Sequence, residues 1–461
     1  MIGPVCLATF CSLWIEEGPV AFRFVHTADL HLDSPLRSLA MRDADLAGRV
    51  ELATRKAFSS IVQHCLDERV DALMIAGDLT DGAQSSVKTA VFLTRELARL
   101  SEAGIRTFII RGNHDARAPL TKGLEWPELV HVFDGRGASV VACEGDRPVV
   151  VHGVSFAKEK APDSLLPRYA RPGETSIDIG LMHTSLGGDG AHDTYAPCAL
   201  TDLVAHGYAY WGLGHVHSRA VHHSAGDGAV VMAGMPQGRD MGETGAKSAS
   251  LVTIRDDGTV DLDEVATSAV EFARCSVTLR PEMGWKEAVE VSIDALMEAS
   301  GRTAASDLVA RIRLEGASHE AWRLRRDADY FLEDLNDGLP AGSGVTIEKV
   351  EPAMAATETG AVVASTGPLI ELQRAMREAV DDPEFLVWAR EHAEKLARTA
   401  FKGLRGSHDA ILGENEEAAA ALLARFVSEG ADEIGARLEG ATREADGEAT
   451  EGPRSGGAAF S

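Results

Sequence analysis

Apolar runs with polar ends alternate with helix-like segments along the first part of the chain. The runs FRFVHTADLHL, ALMIAGD and TFIIRGNHD are rich in β-forming residues and end in polar side chains. Between them, residues 44–69 and 86–103 carry apolar positions at helical spacing. Strands that are apolar on both faces and alternate with helices predict an α/β fold, in which ligands lie beyond the carboxyl ends of the strands.

The alternation continues as far as SASLVTI, and a change of pattern follows. Segment 256–264 is more polar and is typical of a turn or a hairpin edge, so we place a domain boundary near residue 270. Strand-like and helix-like runs then alternate over 271–352, including one predicted helix over 318–337. This order predicts a small α+β domain.

The two ends of the chain differ from the domains between them. The first 20 residues contain an apolar run too short for a membrane span and lack the basic start of a signal peptide, so we expect a poorly ordered extension without a membrane role. Helical periodicity returns at 367–406, with Pro383 at a break. The predicted divisions are an extension (1–20), an α/β domain (21–270), an α+β domain (271–352), a helical tail (353–440) and a disordered acidic tail (441–461).

Composition narrows the functional classes. The net charge of −26 argues against a general nucleic-acid coat protein, because nonspecific affinity for phosphates comes largely from Lys and Arg. It does not exclude a nuclease, since a metal centre supplies concentrated positive charge. The six cysteines form no CxxC motif, which indicates reduced thiols and a cytoplasmic location.

Five short polar motifs occur in order, each just after an apolar strand. A single histidine after a strand is usually a structural residue, but five motifs at the carboxyl ends of strands are expected to converge on one site. The motifs are Asp29-x-His31, Gly77-Asp78-x-x-Asp81, Gly112-Asn113-His114-Asp115, His183 within LMHTS, and Gly214-His215-x-His217.

The side chains in these motifs are typical metal ligands. Carboxylate, amide and imidazole groups without a thiolate suit Mn²⁺ first, with Fe or Zn²⁺ as alternatives, and they suit Mg²⁺ less well because of the imidazoles. Two divalent ions about 3.5–4 Å apart need a shared ligand, and a carboxylate can bridge them. The sequence therefore predicts a centre with two divalent metal ions.

The motif set resembles that of the calcineurin-like metallophosphoesterases. FVHTADLHLDSPL and PQGRDMGETG are similar to segments of a narrower branch, the YhaO-like group of SbcD-type DNA repair exonucleases. The resemblance is strong over about 21–270 and extends to about 350 by the order of strands and helices. It implies a four-layer α/β/β/α core, a small α+β capping domain and a helical C-terminal tail.

The resemblance also implies roles for single residues. His114 would face the substrate phosphate, and Asp115 would orient His114. Asp78 would bridge the two ions. One ion would be held by Asp29, His31, Asp78 and His217, and the other by Asp78, Asn113, His183 and His215. Separately from the resemblance, Arg111 and Arg239 are candidate substrate contacts, and a solvated charge is an equal interpretation of Arg111, which precedes the GNHD motif.

The roles of two aspartates stay open. Asp240 stands where the YhaO-like pattern has histidine, which puts any substrate-facing role there in doubt. Asp81 either braces its loop or joins the metal ligands.

The implied function is a DNA exonuclease or endonuclease that acts in DNA repair beside an SbcC-like coiled-coil ATPase. The helices at 367–406 would dock on that partner or pack on their own core, and a homodimer would form through the core. A phosphatase or small-molecule phosphodiesterase on the same core is the first alternative, and it would cleave nitrophenyl esters or cyclic nucleotides but not DNA. The second alternative is a non-catalytic scaffold for the ATPase, which would bind no metal.

Overall fold

In the computed structural model, the described residues form two compact units, one up to residue 272 together with 303–308, and one over 273–302 together with the described residues from 309 onward. The predicted N-terminal extension as far as residue 19, most of the predicted helical tail and the acidic tail lie outside the described residues. The structure describes residues 20–34, 44–82, 86–117, 124–187, 195–226, 228–318, 320–356 and 382–400, together with a few positions between 371 and 379 and residue 430.

The first unit contains a six-stranded sheet that carries three of the motifs. Its order is β12-β11-β1-β2-β3-β4. Strands β1 to β4 are parallel to one another, so β1, β2 and β3 end at the same edge, while β11 is antiparallel to both β1 and β12. The strands are β1 (Val20–Thr27), β2 (Ala72–Ala76), β3 (Arg106–Ile110), β4 (Val130–Val132), β11 (Ser248–Arg255) and β12 (Val260–Ala266).

A second six-stranded sheet in this unit carries the other two motifs. Its order is β5-β6-β7-β8-β10-β9, with β6, β7, β8 and β10 parallel and an antiparallel strand at each edge. The edge strand β9 has a polar sequence that the hydrophobic pattern did not predict. The strands are β5 (Ala138–Cys143), β6 (Val149–Gly153), β7 (Ile177–His183), β8 (Tyr210–Gly214), β9 (Ala220–Ala225) and β10 (Gly228–Met232).

Helices cover the outer faces of the two sheets. Helices α1 (Ala44–Glu68) and α2 (Val87–Glu102) lie close to the predicted 44–69 and 86–103 and pack on the first sheet, and α3 (Leu200–His206) packs on the second. Between the sheets, buried residues from both inner faces form one core, including Phe24, Met74 and Phe108 from one sheet and Ile179 and Tyr210 from the other. The predicted four-layer α/β/β/α core is confirmed.

Capping and spacing explain these helices locally. The Ser86 hydroxyl accepts a hydrogen bond from the Thr89 N–H at 3.1 Å and caps the start of α2. Phe92, Leu93 and Leu97 then recur at helical spacing and bury one face of that helix. Helix α3 ends at Gly207, whose φ of 89° is the left-handed conformation that glycine adopts without a Cβ clash.

The second unit combines a sheet and helices in the alternating order that the sequence predicts. Its sheet order is β13-β14-β15, with β16 beside β14, and the last described helix begins at Pro383. The single helix predicted over 318–337 is wrong, because β14 extends to Ser318 and two helices then meet at Asp327, whose φ of −110° leaves the helical region. The elements are β13 (Val270–Leu279), α4 (Trp285–Arg302), β14 (Asp307–Ser318), α5 (Ala321–Arg326), α6 (Ala328–Gly338), β15 (Val345–Pro352), β16 (Ala355–Ala356) and α7 (Pro383–Ala400).

Two further properties apply to the described part of the chain. None of its helices is both long enough and apolar enough to cross a lipid bilayer. The four cysteines within it, Cys65, Cys143, Cys198 and Cys275, are free thiols, and three of them are buried.

The two sheets approach each other most tightly beside the motifs. A Cβ on Gly214, the last residue of β8, would lie 2.2 Å from the Ala76 carbonyl oxygen and 2.8 Å from the Ala28 Cβ. Because backbone atoms of the opposite sheet occupy that space, only glycine fits at this position. This close approach brings the end of β8 to the ends of β1 and β2.

We expect Gly214→Ala to destabilise the protein by about 1–3 kcal/mol, because the added methyl group forces the sheets apart. Gly48→Ala is the matched control, since a Cβ there meets nothing within 4 Å. Gly48 lies within α1, where alanine should stabilise by up to about 1 kcal/mol. Urea denaturation followed by circular dichroism measures both changes, and a Gly214→Ala protein as stable as the wild type would contradict this account of the packing.

Candidate metal centre

The loops after β1 and β2 hold their motifs in a strained backbone conformation. The Asp29 N–H donates to the Gly77 carbonyl at 3.0 Å, and the His31 N–H donates to the Asp78 carbonyl at 3.1 Å. Asp29, His31 and Asp78 have φ values of 51°, 41° and 53°, and His215 has 106°. Such conformations cost about 1–3 kcal/mol each outside glycine and cluster at functional sites. Residue spacing alone could not reveal this feature.

The first group of converging side chains is Asp29, His31 and His217. One potential ligand atom from each lies within 4.8 Å of the others. The Nε2 atoms of His31 and His217 are 3.2 Å apart, although their residues are far apart in the sequence and come from different sheets. Four of the predicted ligands, Asp29, His31, Asp78 and His183, are almost fully buried.

The hydrogen-bond partners of these two rings indicate which kind of group fits between them. His31 Nδ1 lies 2.8 Å from an Asp81 carboxylate oxygen, and His217 Nδ1 lies 2.8 Å from a Glu243 carboxylate oxygen. An ionised carboxylate only accepts hydrogen bonds, so both Nδ1 atoms carry hydrogen. In neutral rings, both Nε2 atoms then carry a free lone pair. Two lone pairs that face each other at 3.2 Å fit a shared cation.

The second group contains Asp29, Asp78 and His183 and adjoins Asn113. His183 Nε2 lies 2.9 Å from Asn113 Oδ1 and 3.4 Å from Asp78 Oδ2. Asp78 also lies 3.9 Å from His31 Nε2, so its carboxylate stands between the two groups. The ring of His215 lies 5.2 Å from that of His183. The other six predicted ligands therefore lie around the Asp78 carboxylate.

The buried carboxylates create a strong demand for positive charge. Burial raises the pKa of Asp78, but His183, His31 and His114 outweigh it and hold that pKa well below its usual range. Burial lowers the pKa of His183, but Asp78 and Asp29 outweigh it and raise that pKa to about 9. Metal binding requires deprotonated histidine, so a cation would replace this proton. The residues present therefore fit divalent metal ions.

Close packing around Asp78 leaves no room for larger residues. A Cβ on Gly112 would lie 2.2 Å from Asp78 Oδ1, and a Cβ on Gly77 would lie 2.5 Å from His183 Nδ1. Gly77 also has a φ of 98°, which glycine adopts without strain. The glycines in these two motifs thus let the backbone approach the ligand side chains.

The predicted partner of His114 is wrong. The Asp115 carboxylate is buried and accepts N–H groups of Leu79, Thr80 and Gly112 at 3.1–3.2 Å, so it braces the loop backbone. Asp115 begins a short 3₁₀ turn over Asp115–Arg117, which directs its side chain back into the loop. Asp81 takes the predicted place instead, with Oδ1 3.1 Å from His114 Nδ1.

Asp81 supports two histidines with the same oxygen atom. Its Oδ1 lies 2.8 Å from His31 Nδ1 as well as 3.1 Å from His114 Nδ1, and its other oxygen accepts a hydrogen bond from the Ser34 hydroxyl. Of the two roles that the sequence left open, these contacts favour bracing. The hydrogen bond to Asp81 raises the pKa of His114, whose side chain is 43% exposed and therefore accessible to a substrate.

The two arginines predicted to contact substrate lie in different surroundings. Arg239 is largely buried, and its guanidinium is engaged by Glu243 at 2.6 and 3.1 Å. Those contacts favour a supporting role over substrate contact. Arg111 is half-buried, its N–H donates to the Ser155 hydroxyl at 2.9 Å, and its substrate contact stays a prediction.

Sequence reasoning did not single out Glu243, although it lies within PQGRDMGETG. Asp240, three residues earlier, forms the turn that presents it. The Asp240 carboxylate accepts the Gly242 N–H at 2.7 Å, and the Asp240 carbonyl accepts the Glu243 N–H at 3.0 Å. Asp240 thus has a local structural role in this loop.

Two families match the chain, one in each part of its length. The family described as calcineurin-like phosphoesterase matches residues 22–219, and the family described as metallophosphoesterase YhaO, middle domain, matches residues 272–355. The uncharacterized metallophosphoesterase YhaO of Bacillus subtilis (strain 168) is 32% identical over 319 residues, which are 68% of this chain and 77% of that protein.

More distant similarity extends to other proteins. The DNA double-strand break repair protein Mre11 of Sulfurisphaera tokodaii is 27% identical over 46% of this chain and 54% of its own length. The chain thus spans about half of that relative. The crystal structure of a dimetal phosphatase from Danio rerio is 12% identical, with a TM-score of 0.34, and matches 54% of this chain and 99% of that one.

We expect Asp81→Asn to lower the pKa of His114, because the amide removes the negative charge that stabilises the imidazolium. His114 should therefore lose its proton at a higher pH in the wild type than in the variant. Nuclear magnetic resonance titration of the imidazole signals in chelator-treated protein measures this, with His114→Gln to assign the signal. His222, exposed on β9, serves as the unaffected control, and an unchanged His114 titration would exclude Asp81 as its partner.

Proposed function

This chain belongs to the calcineurin-like metallophosphoesterases, a family of metal-dependent phosphoester hydrolases, and from that premise we propose that it is a DNA nuclease. The observation that carries the proposal is the convergence of one carboxylate, one amide and four imidazoles around Asp78. Similarity to proteins named Mre11 supports a phosphodiester in DNA as the substrate, and repair as the process.

We assign the ligands in two overlapping sets, with Asp78 in both. Its carboxylate lies between the two groups of side chains, which supports a bridging role. The imidazoles favour Mn²⁺ over Mg²⁺. One ion would be held by Asp29, His31, Asp78 and His217, and the other by Asp78, Asn113, His183 and His215. When bound, such ions supply Lewis-acid stabilisation of phosphoryl oxygens and make water acidic enough to act as a nucleophile near neutral pH.

His114 is the group best placed to act on the substrate directly. Its imidazole is partly exposed, while Asp81 holds Nδ1 from behind and leaves Nε2 for the ligand. The raised pKa favours the protonated ring, which can donate a hydrogen bond to a phosphoryl oxygen or a proton to the leaving sugar oxygen. Asp81 therefore orients His114 and stabilises its charge.

The overall acidity bears on how DNA would be held. A net charge of −26 provides little general attraction for a polyanion, so affinity would depend on the metal ions and on local cationic groups. The SbcC-like ATPase proposed as a partner would add binding surface. Helix α7 supports such docking, since Val387 and Trp388 are 61% and 53% exposed on it.

We expect purified protein to cleave end-labelled duplex or hairpin DNA with Mn²⁺ and Asp78→Ala to abolish cleavage, because it removes the shared ligand. His114→Ala should slow cleavage by roughly 10²–10⁴-fold, the usual contribution of a general acid. His222→Ala, a change to an exposed histidine on β9, should cleave like the wild type. Hydrolysis of nitrophenyl esters or cyclic nucleotides without DNA cleavage would instead identify a phosphatase or small-molecule phosphodiesterase.

Metal content provides a test that needs no substrate. After dialysis against Mn²⁺, we expect two ions per chain in the wild type by elemental analysis. Asn113→Ala should reduce this toward one ion, because Asn113 belongs to one set only, whereas Asp78→Ala should reduce both. A wild-type protein that binds no divalent ion would contradict the proposal and favour the scaffold alternative.

A further inference from the structure

His217 is supported from behind by a charged pair that none of the five motifs contains. Glu243 Oε1 lies 2.8 Å from His217 Nδ1, and Arg239 donates to the same carboxylate through Nε at 3.1 Å and Nη2 at 2.6 Å. The side chains of Arg239 and Glu243 are only 17% and 15% exposed. The pair is thus held in a largely desolvated position directly behind a proposed metal ligand.

The hydrogen-bond pattern defines the orientation and tautomer of His217. Arg239 Nη2 also lies 3.4 Å from His217 Nδ1, but the closer carboxylate can only accept, so this nitrogen carries the hydrogen. In the neutral ring Nε2 then has the free lone pair, and it lies 3.2 Å from His31 Nε2. Glu243 is thus the described acceptor that keeps the hydrogen on Nδ1 and fixes the direction of the ring.

Arg239 connects this pair to the carboxylate behind the other histidine. Its Nη1 lies 3.3 Å from the Ser34 hydroxyl and 3.9 Å from Asp81 Oδ2. The two imidazoles that face each other are therefore each backed by a carboxylate, His31 by Asp81 and His217 by Glu243. A single guanidinium lies beside both carboxylates, and its planar fork provides donors in directions that a lysine ammonium cannot reproduce.

The loop that carries the pair is itself firmly anchored. The Gln237 side chain accepts the N–H groups of Ala269 and Val270 at 2.8 and 3.2 Å and donates to the Val270 carbonyl at 2.6 Å. A Cβ on Gly238 would lie 2.6 Å from the Glu243 carbonyl oxygen, so the loop closes tightly on itself. These contacts favour one fixed position for Glu243, as a positioning role requires.

We propose that Glu243 and Arg239 are positioning residues that hold His217, with Nε2 unprotonated, for the metal ion that it shares with Asp29 and His31. The proposal rests on the assignment of His217 as a ligand under the proposed function. It concerns one of the two ion sites, because His183 and Asn113 have no contact with the pair among the described hydrogen bonds. Partners behind a metal-bound histidine typically change metal affinity by about 10–100-fold.

The test is a Mn²⁺ titration of full-length wild-type, Glu243→Ala and Glu243→Gln proteins by calorimetry. We expect Glu243→Ala to weaken one of two sites by about 10–100-fold and to leave the other unchanged. Glu243→Gln should recover part of the loss, because its amide oxygen can still accept from Nδ1. Arg239→Lys should fall between the wild type and Glu243→Ala, since it keeps the charge and loses the fork.

Glu298→Ala is the matched control. Glu298 forms an ion pair with Arg302 at the same four-residue spacing, but both side chains are about 70% exposed in the second unit. This variant should bind both ions like the wild type. Any general effect of losing a glutamate–arginine pair would appear in this control as well.

A second readout separates positioning from a merely structural role. Long-range proton–nitrogen spectra of chelator-treated protein report which ring nitrogen of His217 carries hydrogen. We expect hydrogen on Nδ1 in the wild type and in Glu243→Gln, and a mixture of the two tautomers in Glu243→Ala. Circular dichroism should be unchanged in all three proteins.

Two failures of the proposal are distinguishable from each other. If the wild type binds two ions and Glu243→Ala binds both as tightly, with the same His217 tautomer, the positioning role is excluded while the proposed function stands. If the wild type binds no ion, the proposed function fails and the positioning role fails with it. Equal weakening of both sites in Glu243→Ala would also overturn the proposal, because it would show no preference for the site of His217.

Discussion

Two carboxylates that are almost completely excluded from water, Asp29 and Asp78, impose the main constraint on this structure. Burying an ionised carboxylate costs several kcal/mol unless opposite charge or hydrogen bonds compensate for it. For Asp78 the compensation comes from both sheets, since His31 follows β1 while His183 ends β7. The first sheet thus supplies the acids, and the second supplies much of the positive charge that they need. The acids and the histidines therefore meet only when the two sheets are packed together.

Meeting this constraint requires an unusual backbone. Four of the proposed ligands have positive φ, at a cost of about 1–3 kcal/mol each, and glycines at 77, 112 and 214 leave room that a Cβ would fill. The core between the sheets and the cross-loop hydrogen bonds of Asp29 and His31 hold these conformations in place. Stability elsewhere in the core therefore offsets strain at the edge where the ligands meet.

The sequence predicts the fold, and it predicts that the proposed ligands lie near one another, because both depend on local patterns. Apolar strands, helical spacing and polar residues at strand ends are visible one segment at a time, and the carboxyl ends of parallel strands necessarily meet. The exchange of Asp115 for Asp81 was not visible in this way. Asp115 is adjacent to His114 in the sequence, but the 3₁₀ turn directs its carboxylate to backbone N–H groups, and Asp81 approaches from another loop. Adjacency in sequence gave the wrong partner because side-chain direction depends on the turn.

Glu243 escaped prediction for a related reason. No strand-end pattern marks it, and its contact with His217 depends on a turn built by Asp240 and on a loop anchored through Gln237. The break between α5 and α6 at Asp327 similarly depends on one backbone conformation within a run of residues that otherwise suits a helix. Features that depend on long-range contacts or on one backbone conformation are not visible in the sequence.

The supporting carboxylates link parts of the site that the mechanism treats separately. One oxygen of Asp81 contacts both His31, a proposed metal ligand, and His114, the proposed proton donor, and its other oxygen lies near Arg239. A change in the charge on any of these groups alters the environment of the rest, because the separations are a few ångströms in a poorly solvated region. Under the proposed function, ion binding at His31 and phosphate contact at His114 would therefore be coupled through Asp81.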